Sequence, residues 1–209
     1  MVSEETTVFR STFGRGLTIF AGIVSAIALV SGLVGDARQM LPFIAPVALV
    51  MLWVWAAYWQ PAVIVNPAGV EIRNITRTIE LPWPTIQRVE TKYALTLFTA
   101  FGSYAAWAAP APSQVKTARS AHVSQRAEAI VGLPTSTVSG GTITPGDLAT
   151  SASGQAAAII RHRWEELRDA GLLDNPQVER EKPRITWHWA TLAGLLGLLT
   201  VSVVGIALR

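Results

Sequence analysis

The sequence predicts a membrane α protein with a small cytoplasmic α+β domain: three transmembrane helices and a bent antiparallel sheet capped by one helix. Three observations predict it. Three runs, each near the ~20 residues of a spanning helix, carry no charge. The segment between the second and third runs alternates apolar and polar residues in short stretches, and it holds most of the basic residues. Half of the 209 residues are hydrophobic, 15% are charged and the mean hydropathy is +0.36, whereas about a quarter of a soluble domain is charged. The chain has no cysteine, which excludes disulfide frameworks, thiolate zinc sites, iron–sulfur clusters and cysteine nucleophiles.

An N-terminal tail and a helical hairpin occupy residues 1–60. Residues 16–35, GLTIFAGIVSAIALVSGLVG, form the first span, roughly 30 Å at helical rise. An uncharged run at 40–60 supplies the second span at about 41–60, with Pro42 and Pro46 in its first turns, where a missing N–H costs least. A third run gives a span at 185–208. A signal peptide ending near Gly35-Asp36-Ala37 is the rival reading of the first run. The run exceeds the ~7–15 residues of a signal core, and a second apolar run follows after a short polar link.

Orientation follows from Lys and Arg. Arg10 and Arg15 precede the first span, Arg38 lies in the link, thirteen basic residues lie from Arg73 to Arg184, and Arg209 ends the chain. With the N-terminus inside, fifteen of the seventeen are cytoplasmic, so the expected topology is N-in and C-out in a bacterial plasma membrane. Trp53, Trp55 and Trp59 at the end of the second span, and Trp187 and Trp189 at the start of the third, then fall at the cytoplasmic interface as aromatic anchors. His188, between the last two, reads as an interfacial histidine.

Residues 61–112 form the β-domain, with five or six short antiparallel strands. Val63 and Val65, the turn Asn66-Pro67-Ala68-Gly69, and Val70 and Ile72 read as a tight hairpin in which Gly69 can supply a positive φ. Ile79, Leu81 and Trp83 alternate with polar neighbours; strands at 86–93 and 94–100 follow, then the Phe101-Gly102-Ser103 turn and a last strand at 104–109. Residues 113–154 read as a flexible insertion: sixteen of the twenty-three residues from 132 to 154 are Gly, Pro, Ser or Thr, and 115–130 can form a short exposed helix. An amphipathic helix at 155–173 places Ala156, Ile160, Trp164 and Leu167 on one face. Ser153 can cap its start, and Gly171 followed by Pro176 stops it. It can cap the sheet or lie on the membrane; its narrow stripe and mixed charges favour the cap.

Leu81-Pro82-Trp83, Tyr93-Ala94-Leu95 and Ala106-Trp107-Ala108-Ala109-Pro110 make the block from Pro61 onward resemble the bacterial PH-like domain of small actinobacterial membrane proteins. These tend to have two spans before the domain and one after. The resemblance covers about fifty residues and implies a PH-like bent antiparallel sheet closed by a C-terminal helix. Neither motif carries a catalytic residue, and the long insertion before the helix departs from the pattern.

Chemistry is otherwise sparse. His122, His162 and His188 are scattered, with no metal-ligand pairing, and no phosphate-binding glycine loop is present. Glu165-Glu166 is a solvated helix face, and no serine sits in a nucleophile elbow. No catalytic residue, cofactor or metal site is expected. Arg73, Arg77, Arg88, Lys92, Arg161, Arg163, Arg180, Lys182 and Arg184 serve topology and solubility first and are the candidate contacts to an anionic surface. Expected partners are membrane lipids and a membrane protein, with no nucleic acid and no small-molecule substrate. The functional expectation is a non-enzymatic protein-interaction or scaffolding module at the membrane. An accessory subunit of a larger membrane complex and an anionic-lipid sensor are the alternatives.

Overall fold

The computed structural model describes residues 6–110, 152–173 and 182–207. His122, Arg180, Pro176, the helix expected at 115–130 and most of the 113–154 insertion lie outside them. In chain order the elements are β1 (Thr7–Phe9), α1 (Thr12–Val54), a π-helical turn (Trp55–Trp59), β2 (Ala62–Asn66), β3 (Gly69–Arg73) and β4 (Arg77–Pro82). A 3-10 turn (Trp83–Thr85), β5 (Ile86–Glu90), β6 (Ala94–Thr99), β7 (Gly102–Pro110), α2 (Ala152–Asp169), β8 (Arg184–Trp187) and α3 (Trp189–Ala207) follow.

Among the described residues two helices are long and apolar enough to cross a membrane, Thr12–Trp59 and Trp189–Ala207. The first is not a straight rod. Asp36 leaves helical geometry (φ −152°, ψ 100°), and its Oδ1 accepts from the Arg38 and Gln39 amides at 2.9 and 3.3 Å. That is the work of an N-cap, so a new helical limb starts at residue 37. The limbs run back along each other: a Cβ added at Gly14 would stand 2.7 Å from the Tyr58 carbonyl oxygen, one at Gly22 would stand 3.7 Å from Met51, and one at Gly32 would overlap Met40. Glycine at 14 is required because the opposing atom is backbone. Gly194 faces Leu52 and Gly205 faces the Pro42 carbonyl, so α3 lies antiparallel to the second limb.

Pro42 and Pro46 therefore stand in the second and third turns of their limb, not in its first turns as the sequence suggested. Pro46 has no N–H for the Pro42 carbonyl, leaving that oxygen free to face Gly205. Apolar side chains such as Phe20, Val34, Leu196 and Val203 point outward on all three helical stretches.

The strands form two antiparallel sheets, a five-stranded one in the order β1-β2-β3-β4-β8 and a three-stranded one in the order β5-β6-β7. Its two edge strands correct the sequence reading. β1 comes from the tail before α1, and β8 from residues expected to open the third helix, which instead starts at Trp189. The alternation of β2–β4 puts Val63, Val65, Val70, Ile72, Ile79 and Leu81 on one buried face. That face shares a single core with Leu95 and Leu97 of β6 and Ala106 and Ala108 of β7.

The β2–β3 turn is held by Asn66 Oδ1, which accepts from the Ala68 and Gly69 amides. Gly69 does not adopt a positive φ; it is needed because a Cβ there would overlap the Leu81 carbonyl.

α2 closes the core with Ala156, Ala157, Ile160 and Leu167. Trp164 Nε1 and the Arg161 guanidinium donate to the Ile86 and Val89 carbonyls of β5 at 3.0 and 3.2 Å. Ile160 is fully buried, and truncating such a side chain to Ala costs about 2–5 kcal/mol. The apolar stripe is thus packed on the sheet, as the cap that its narrow width and mixed charges favoured. The helix begins at Ala152, so Ser153 is inside its first turn and fully buried, not ahead of the helix as a cap. It ends as expected: Gly171 takes φ +68°, its amide bonds the Arg168 carbonyl, and the Leu172 amide bonds Leu167.

Candidate functional site

Three helix ends meet one end of the five-stranded sheet, and several long-range polar contacts gather at this junction. β1 leads through Ser11, whose Oγ accepts from Gly14 N at 3.1 Å, into α1. The second limb ends in the π-turn, closed by Gln60 N to Trp55 O at 3.1 Å, and delivers β2. β8 runs through His188 into α3. Arg15 lies over the Trp59 ring at 5.2 Å, joining the start of α1 to the end of the second limb.

His188 is the centre of the junction. Its backbone N–H donates to the Thr76 carbonyl and its own carbonyl accepts from Leu192 N, so the residue ends a strand and opens a helix. Its Nδ1 meets Gln60 Nε2 at 2.9 Å, with the Ile75 carbonyl 3.3 Å away, and its Nε2 meets Thr78 Oγ1 at 2.8 Å. Which ring nitrogen donates depends on the tautomer. Gln60 Oε1 is buried and has no hydrogen-bond partner among the described residues. The imidazole therefore joins the end of the second limb, β4 and the start of α3.

Trp107 makes a second tie. Its Nε1 donates to the Ala57 carbonyl inside the π-turn at 2.8 Å, while its amide donates to Asn74 Oδ1 and Asn74 Nδ2 donates to the Ala105 carbonyl. Trp83, the other motif tryptophan, is buried and donates from Nε1 to the Asn66 carbonyl at 3.1 Å. The motif tryptophans are thus structural donors, one to the hairpin turn and one to the helix end.

Several of the described candidate cations are engaged locally. Arg73 pairs with Glu71 at 2.6 Å, and Arg88 pairs with Glu90 at 2.9 Å while stacking on Phe98. Lys92 lies over Tyr93, Arg161 bonds β5, and Arg163 is buried beside Glu166. Lys182 and Arg184 are exposed, Arg184 lying opposite Glu80 in register. Arg77 lies at the junction, opposite Trp187 and 5.8 Å from its ring, with no carboxylate in ion-pair range among the described residues.

Of the aromatic anchors, Trp53 packs edge-on to Tyr58, Trp187 and Trp189 have ring centroids 6.2 Å apart, and Trp55 is exposed. No group of three or more metal-ligating side chains occurs among the described residues. Gln60, Asn74 and Thr78 escaped the sequence reading; the one signal was an amide ending an otherwise apolar run at Gln60.

Two sheets closed by a C-terminal helix make a PH-like domain, joined at one end to helices long and apolar enough to cross a membrane. Residues 60–136 match the family model described as Bacterial PH domain, so the chain carries a bacterial PH domain. That match spans β2–β7 and leaves β1, α2 and β8 outside it. No curated protein and no solved structure matches the chain.

Proposed function

We propose that the chain is a three-span bacterial plasma-membrane protein, N-in and C-out, whose PH-like domain is a non-enzymatic interaction or scaffolding module on the cytoplasmic side. The helical runs at 12–35, 37–59 and 189–207 are the spans. Their outward apolar side chains call for a hydrocarbon environment, and the sheet end they share carries Arg10, Arg15 and Arg77, as a cytoplasmic junction should. The scaffolding role rests on one observation: β8 is an edge strand exposed at every residue from Arg184 to Trp187. Two carbonyls of the other sheet's β5 are engaged by α2, whereas the outer edge of β8 has no partner strand among the described residues and is open to one.

Photo-crosslinking in vivo tests this. A crosslinker at Ile185 is expected to capture a defined partner that one at Ile159, on the outer face of α2, does not. Equal or absent capture at both positions contradicts the scaffold. The subunit alternative draws on the sparse burial of the helices and predicts stoichiometric partners that survive high salt after extraction in mild detergent.

A further inference from the structure

The second limb of α1 and α3 leave a groove between them, open to the side, with a volume of about 520 Å³, a size that suits a ligand chain. Leu49, Val50 and Trp53 form one wall and Leu192, Leu196 and Leu199 the other. Trp189 stands three residues before Leu192, so Trp189, Leu192, Leu196 and Leu199 run down one face of α3. From Trp189 the track continues outward through the Trp187 ring to the Arg77 guanidinium. Hydrocarbon wall, two indoles and a cation thus follow one another in that order.

We propose that this track binds one anionic phospholipid, an acyl chain lying in the groove and the phosphate at Arg77. The inference rests on the membrane reading above and adds a discrete site to it. Charge complementarity selects the occupant. A purely apolar partner helix leaves Arg77 unmatched at the head of the groove. A second copy, which in a membrane must be related by an axis along the normal, brings Arg77 toward its own image. An amphiphile with an anionic head matches both ends, and the indoles suit the depth between them.

The test is mass spectrometry of the intact full-length chain in mild detergent, with phosphatidylglycerol or phosphatidylcholine of identical acyl chains. Wild type should retain the anionic lipid about fivefold over the zwitterionic one, the scale set by one cation at an anionic head group. Arg77→Gln should bring the ratio close to one, and Arg77→Lys should keep it. Leu196→Trp, which fills the groove, should lower retention of both lipids. Arg168→Gln, an equal loss of charge on α2, should leave the ratio unchanged.

Equal retention of the two lipids by wild type, or an Arg77→Gln ratio matching wild type, overturns the site. A dimer abolished by Leu196→Trp overturns it in favour of a second copy. Alkaline carbonate separates the two levels of the argument. A chain released by carbonate wash removes the membrane reading itself, whereas a retained chain without lipid preference removes only this site.

Discussion

Replacing His188 by Phe keeps a planar ring at the junction and deletes two hydrogen bonds, at 2.9 Å to Gln60 and 2.8 Å to Thr78. Thr78 is 8% exposed, so its hydroxyl loses a partner largely out of reach of water. Gln60 is only half-buried, but its Oε1 already lacks a partner among the described residues, and losing the second amide atom compounds that. Each buried polar group left unmatched costs about 1–3 kcal/mol, and discounting the more accessible Gln60 gives roughly 2–4 kcal/mol in all. For a chain of this size that is a fall of about 4–16 °C in apparent Tm, read by thermal unfolding of the detergent-solubilised protein.

Gln60→Leu alone should be nearly neutral, because it removes an orphaned atom together with the bond and leaves the Ile75 carbonyl 3.3 Å from Nδ1 as its partner. The double variant should regain about half of the His188→Phe loss, since a contacting pair couples. Simple additivity of the two substitutions, or a His188→Phe loss under about 0.5 kcal/mol, refutes the imidazole as the joint between helices and sheet.

Gly14→Val should abolish accumulation of folded protein in the membrane, because its Cβ meets the Tyr58 carbonyl at 2.7 Å, while Gly16→Ala, with open space around it, should accumulate normally on an immunoblot. Trp107→Phe retains the ring and removes the donor to the Ala57 carbonyl, at a cost of about 1–3 kcal/mol by thermal unfolding. Gly171→Ala places a Cβ at φ +68° and should destabilise the end of α2 by about 1–2 kcal/mol, seen as faster amide exchange confined to that helix's last turn.

Local features of this fold were legible in the sequence wherever the signal was local. Asn66 to Gly69 announced a hairpin, because an Asx turn needs only four residues. Gly171 announced a helix end, and the spacing of Ala156, Ile160 and Leu167 announced a buried stripe. β1 was illegible because Thr7–Phe9 is too short to show a period. β8 was hidden because Arg184–Trp187 runs without a break into the apolar α3, so one hydropathy window covers both. Pro183 followed by β-branched Ile185 and Thr186 was the available hint.

Asp36 looked like part of a polar link and proved to be a cap, which is what permits so abrupt a reversal. The junction was the least legible part. His188 with Gln60 and Thr78, and Trp107 with Ala57, join residues 128, 110 and 50 positions apart. No spacing rule connects positions brought together only by the tertiary fold.

The central claim is that the PH-like domain is held at the cytoplasmic end of three spans. Cysteine accessibility tests it most directly, since the native chain has no cysteine. A membrane-impermeant maleimide on intact cells should label Arg38→Cys, at the hairpin turn, and should reach Glu80→Cys, on the sheet's exposed outer face, only after the inner membrane is opened. Labelling of Glu80→Cys in intact cells, or identical labelling of the two positions, contradicts the account.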